Sequence, residues 1–110
     1  MGKIPYDKIR LKVADIDSIV AAFKQSFHTD DHLWIFGSRV DLAALGGDID
    51  LYIETNEIDT ALITQRRVKF IHAVINNLGE QKIDVVIKLN HDPLVLPIYT
   101  VAQKDGVQLA

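Results

Sequence analysis

The chain has 110 residues, 48% of them hydrophobic and 25% charged, with a formal net charge of −3 and no cysteine. That length predicts one domain spanning residues 1–110, and the acidic balance argues against nucleic-acid binding through bulk charge. Disulfides, thiol nucleophiles and thiolate metal ligands are excluded, and no apolar run approaches the roughly 18 residues that span a bilayer. The N-terminal residues lack the apolar core of a signal peptide, so the expected location is cytoplasmic with no membrane contact. Residues 1–8 read as a flexible arm. Ile9, Leu11 and Val13 alternate with Arg10 and Lys12, which suits a short strand. Asp15 or Asp17 offers an N-cap for a helix with Ile16, Ile19, Val20, Phe23 and Phe27 on its apolar face. His28, Asp30, Asp31 and His32 follow as a connection, and loop polarity explains them better than a metal site.

Leu33 to Phe36 is a continuous apolar run that stops at Gly37-Ser38, the pattern of a buried strand entering a turn. Val40 to Leu45 fits a short helix ended by Gly46-Gly47. Asp48-Ile49-Asp50 leads into a second strand through Ile53. Asp59 or Thr60 caps a long helix, Ala61 to Leu78, stopped at Gly79. Its Arg66, Arg67 and Lys69 read as a solvated face before a phosphate contact. Gln81 to Lys88 is a third strand, interrupted by Asp84. Asp92-Pro93 is expected to open a last helix, which Gly106 ends, with Tyr99 at least partly buried. The strand–helix–strand unit from Ile49 to Lys88 predicts parallel neighbours, whereas the short link before Asp48 allows antiparallel pairing. The expected fold is α/β (α+β): a small mixed β-sheet packed against helices, with the helices on one side.

The aspartates carry the chemistry. Successive side chains of a strand point to opposite faces, so Asp48 and Asp50 share one face. Two adjacent carboxylates repel unless a cation lies between them, and Mg²⁺ suits carboxylate and phosphate oxygens. If the Asp84 strand pairs beside them, a third carboxylate joins, as in a two-metal phosphoryl-transfer site. Asp is depleted in strands, and three of them in two apolar strands require an explanation. Gly37 permits close backbone approach to a ligand, and Ser38 adds a hydroxyl and an amide for phosphate. Arg39 reads equally as a phosphate fork or as a solvated loop charge.

Gly37-Ser38, the nine residues 39–47, Asp48-x-Asp50 and the later Asp84 together resemble the nucleotidyltransferase superfamily related to DNA polymerase beta. Within it, the short chain resembles the minimal nucleotidyltransferase (MNT) proteins, many of them encoded beside HEPN-domain partners as toxin–antitoxin pairs. The resemblance runs from about Ile9 to the end. It implies a nucleotidyltransferase-like fold, with Asp48, Asp50 and Asp84 as catalytic ligands of two Mg²⁺ ions. It also implies that Gly37, Ser38 and Arg39 bind the nucleotide, with ATP as the AMP donor. The acceptor it implies is a hydroxyl, often a tyrosine, on a HEPN toxin, and hence an assembly with that partner. The chain departs from many relatives in carrying Ala44-Leu45-Gly46 where they have an Arg-Gly pair. Two alternatives stay open: an antitoxin that binds its toxin without catalysis, and a transferase acting on a small antibiotic-type hydroxyl compound. A DNA polymerase role fits the acidic charge least.

Overall fold

The apolar run before Gly37 becomes an inner strand, and the rest of the chain is laid around it. A computed structural model describes residues 3–110. The elements are α1 (Val13–Ser26), β1 (His32–Phe36), β2 (Ile49–Thr55), α2 (Thr60–Leu78), β3 (Ile83–Leu89), α3 (Pro97–Asp105) and β4 (Val107–Gln108). Short 3₁₀ turns cover Tyr6–Lys8 and Gly37–Val40. The sheet order is β3-β2-β1-β4. β1 is antiparallel to β2 and β4, and β2 is parallel to β3 across the α2 crossover. The expected mixed α/β sheet is therefore present.

Alternation along the strands gives the sheet two unlike faces. Leu33, Ile35, Ile49, Leu51, Ile53 and Val85 join the main core with α1 and α2. Phe23 and Phe27 stack at 5.3 Å between centroids, and Phe70 of α2 meets both edge-on at 6.2 and 5.9 Å. Phe36 and Tyr52 point the other way, where Ala102 of α3 covers them. The sequence predicts all helices on one side, and the structure corrects this: α3 occupies the face opposite α1 and α2. Its starting point has a local cause. A residue before proline is kept out of the helical region, and Leu96 is extended at ψ 147°, so the helix begins at Pro97 and not at Pro93. Asp92 instead closes a turn by accepting from the Leu94 N–H at 2.9 Å.

Other boundaries move for similar reasons. α2 starts where expected, because Asp59 accepts from the N–H groups of Ala61 and Leu62 at 2.9 and 3.3 Å. α1 starts earlier than Asp15 would place it. The Asp15 and Ile16 N–H groups already donate to Lys12 O, each at 3.0 Å, so Asp15 sits inside the first turn. The Ile9–Val13 alternation makes no strand; Ile9 alone is buried and anchors the segment. Of the expected arm, Met1 and Gly2 lie outside the described residues. Ile4 and Tyr6 pack on the core, and the Tyr6 hydroxyl donates to Asp17 at 2.5 Å. Val40–Leu45 forms no helix beyond the 3₁₀ turn. The Asp41 carboxylate takes the Ala43 N–H at 3.0 Å, competing with helical bonding, and Leu45 is 96% exposed. No helix of the described residues is long and apolar enough to cross a membrane.

Candidate functional site

Parallel pairing of β2 with β3 places Asp50 directly opposite Asp84, with Ile49 opposite Ile83 on the core face. Asp50 also lies opposite Phe36, the residue before the glycine turn, across the antiparallel pair. One strand position therefore brings a carboxylate, a second carboxylate and the Gly37 turn together. Asp50 is half-buried and Asp84 is exposed. Asp48 lies just before the strand, where the Ile49 N–H donates to Lys82 O at 3.0 Å. Its carboxylate faces the Lys82 ammonium at 3.5 Å. Both side chains of that pair are substantially exposed, so the pair contributes under about 1 kcal/mol and exchanges readily.

Electrostatics single out Asp50. Burial pushes its carboxyl above the ordinary range, and the charges of Asp84 and Asp48 push further in the same direction. A hydrogen bond shared with Asp84 adds to this, while Lys82 opposes it. Lys82 is the cation that the described residues bring to these carboxylates. Among the described residues, no group of three or more His, Cys, Asp or Glu is already gathered as a metal-ligand set. Asp50 and Asp84 are brought together; Asp48 stands at the lip of the site on Lys82. The donors are all carboxylate oxygens, which suit Mg²⁺.

The turn is built around the same carboxylate. Gly37 has φ +75°, and a Cβ there would overlap the Asp50 Oδ2 atom. Only glycine meets both demands, and it lets main chain press against the carboxylate. Gly47, at φ +98°, has room for no Cβ beside the Ser38 hydroxyl. That hydroxyl donates to Asp48 O at 3.3 Å. Ser38 is therefore set between the turn and the first aspartate.

Arg39 is neither a free fork nor a solvated charge. Its guanidinium donates to Arg10 O and Gly47 O, both at 3.0 Å, and its Nε is buried without a partner. Arg10, which sequence reasoning passed over, makes the converse bonds to the loop. No local pattern marks it, because its partners are 28 to 36 residues away. Lys82 had a signal: it stands two residues before Asp84 at the entry to β3, and alternation carried back from the strand points it to the carboxylates' face.

The remaining polar residues have other duties. Asp31 accepts from the N–H groups of His28 and Asn56 at 3.1 and 3.2 Å, tying two loops together. Arg66 lies 3.6 Å from Glu57, and the Lys69 ammonium donates to Gln25 O at 2.9 Å, so this basic cluster fastens α2 to its surroundings. On the α3 face, Tyr52 is fully buried and donates to Glu54 at 2.7 Å. Gln103 of α3 reaches the same carboxylate. Burial, then the bond to Glu54, hold the Tyr52 hydroxyl well above the ordinary phenol range. Tyr99 is half-buried against Tyr52, with ring centroids 5.7 Å apart. A cavity of about 870 Å³ beside Ile4, Val20, Phe23 and Leu109 shares no residue with the carboxylate cluster. Comparison with models of known protein families gives no match. Comparison with curated proteins gives no match either.

Proposed function

We propose that this chain is a Mg²⁺-dependent nucleotidyltransferase that moves AMP from ATP to a hydroxyl on a partner protein. The partner class is a HEPN-domain toxin, which the chain neutralises as a cytoplasmic antitoxin. The observation that carries the reading is the meeting of Asp50, Asp84 and the Gly37 turn at one point of the sheet. Carboxylates alone are common on surfaces. A carboxylate pair pressed against a glycine–serine turn, with the Asp50 carboxyl pushed up by burial and by its carboxylate neighbours, supports phosphoryl transfer.

Asp48, Asp50 and Asp84 would hold the two ions. Bound there, Mg²⁺ supplies charge to offset the triphosphate and the developing charge on the attacking and leaving oxygens. The chain's own residues do the rest. The Ser38 hydroxyl and the main chain of the Gly37 turn bind the phosphates, with Arg39 contributing by shaping the turn. Asp84, exposed at the site's edge, accepts the proton of the incoming hydroxyl. The hydroxyl oxygen bonds to the α-phosphorus, the bond from that phosphorus to the bridging oxygen breaks, and pyrophosphate leaves. The product is an AMP ester, whose bulk and charge would block the toxin.

Intact-mass spectrometry of the product of the neighbouring gene tests this, after incubation with the chain, ATP and Mg²⁺. A gain of one or more AMP units is expected, and none with Asp48→Ala/Asp50→Ala. An unchanged mass with a stable complex would replace the reading with a purely binding antitoxin. An unchanged mass with no complex would sink the protein-acceptor reading and turn attention to small hydroxyl compounds.

A further inference from the structure

The loop from Gly37 to Gly47 carries half of the proposed nucleotide site, yet beyond Val40 it has no regular structure. It includes three glycines at positive φ, Gly37, Gly46 and Gly47. Such a segment has many conformations when free, and fixing each residue has an entropic cost. A ligand that needs one of them binds more weakly by the fraction of time that conformation is populated. Something must hold the loop.

Arg10 does so from outside it. Its Nε donates to Asp41 O at 2.7 Å, and its Nη2 donates to Ser38 O and Gly46 O at 2.7 and 2.8 Å. One guanidinium thus grips the start, middle and end of the loop. The main chain of Arg10 is fixed in turn. Its N–H donates to Arg39 O at 2.8 Å, its carbonyl accepts from the Arg39 guanidinium, and neighbouring Ile9 is buried in the core. The planar fork suits this task, and a lysine ammonium on a flexible stem would not reproduce it.

We propose that Arg10 is a positioning residue for nucleotide binding: by bracing Ser38, Asp41 and Gly46 it holds the loop in the conformation that receives the triphosphate. This rests on the nucleotidyltransferase reading. Arg10 touches no reacting atom; it keeps Ser38 beside Asp48 and the Gly37 turn against Asp50.

Calorimetric titration with ATP and Mg²⁺ tests the role without any acceptor, alongside hydrogen exchange of the loop amides. Arg10→Ala should weaken ATP binding about tenfold, the equivalent of one lost bond from a charged donor. Loop amides should exchange faster while those of β2 keep their protection, which also shows that the variant folds. Free guanidinium at a non-denaturing concentration should restore part of the affinity, and Arg10→Lys should recover less than wild type. If Arg10→Ala does not fold, Arg10→Lys carries the same comparison. Loosened loop amides with wild-type ATP affinity would overturn the proposal while leaving the transferase reading intact. Loop amides unaffected by the substitution would overturn it as well. A wild-type chain that takes up no ATP, its loop still braced, would remove the transferase reading and the positioning role with it.

Discussion

Asp50 is kept where the fold would rather not have a charge. Burial and its carboxylate neighbours raise its pKa above the ordinary 3.8, so the folded chain binds this proton more tightly than the unfolded chain. For a carboxyl shifted in that direction, stability is greatest below 3.8 and is lost as pH rises through the folded value. At neutral pH the ionised group is a burden unless a cation relieves it. Asparagine has nearly the same shape, carries no charge and can donate to Asp84. Asp50→Asn should therefore melt higher than wild type at pH 7 with a chelator present, and the gap should close as pH falls towards 4. Mg²⁺ should raise the wild-type melting temperature more than the variant's, because a ligand stabilises only the form that binds it. Calorimetric melts across pH, with and without Mg²⁺, read all three effects. A variant melting below wild type at pH 7 would show that Asp50 is held by its hydrogen bond with Asp84 and not strained by its charge.

At the level of elements, α2 shows what a sequence discloses reliably. Its cap is local, two bonds from the Asp59 side chain to the next N–H groups, and its stop is a glycine at φ +81°. Asp59→Ala should cost about 1 kcal/mol in denaturant unfolding, the usual value of a lost cap. Serine at the same place should recover most of it. The long strands were legible for a comparable reason. Apolar runs and the spacing of Asp48, Asp50 and Asp84 follow from alternation, and the pairing of β2 with β3 follows from the crossover between them. What was not legible depends on distant partners or on competition between neighbours. β4 is two residues long, too short for a period, and exists because β1 offers it a free edge. The Val40–Leu45 segment has helical composition, but the Asp41 side chain and two following glycines favour turns. Arg10 falls within an alternating stretch and reveals nothing until the loop lies beside it. α3 changes faces because Ala102 and Tyr99 have Phe36 and Tyr52 to cover, a demand no single helix displays in its own residues.

For the whole molecule, the two faces of the sheet differ: one packs the main core, and the other carries the candidate site beside a smaller buried cluster. The face towards α1 and α2 is aliphatic and closed, with Phe70 and Val74 fully buried beneath it. The other face carries Asp50 and Asp84 at one end and the Tyr52–Glu54–Gln103 network under α3 at the other. A domain of this size has about 5–15 kcal/mol of stability, so the two faces should respond differently to substitution. Phe70→Ala removes an aromatic ring with two edge-on partners and should cost about 3–5 kcal/mol. That corresponds to a melting temperature lower by roughly 12–20 °C, at about 4 °C per kcal/mol. Below its melting point this variant should keep the proposed transfer, because Phe70 belongs to the main core on the other side of the sheet from the carboxylates. Asp84→Asn should do the reverse. The side chain is exposed, so stability should stay within about 0.5 kcal/mol of wild type or rise slightly. The proposed transfer should fall by at least about a hundredfold, the lower bound for losing a general base, the role proposed for Asp84. Circular-dichroism melts and intact-mass assays on the same preparations give both axes. If Phe70→Ala, still folded, lost transfer as completely as Asp84→Asn, the faces would be coupled and the sheet would transmit core packing to the carboxylates. If Asp84→Asn unfolded the chain, the carboxylate pair would be a structural element, and the case for a catalytic site at β2 and β3 would fall.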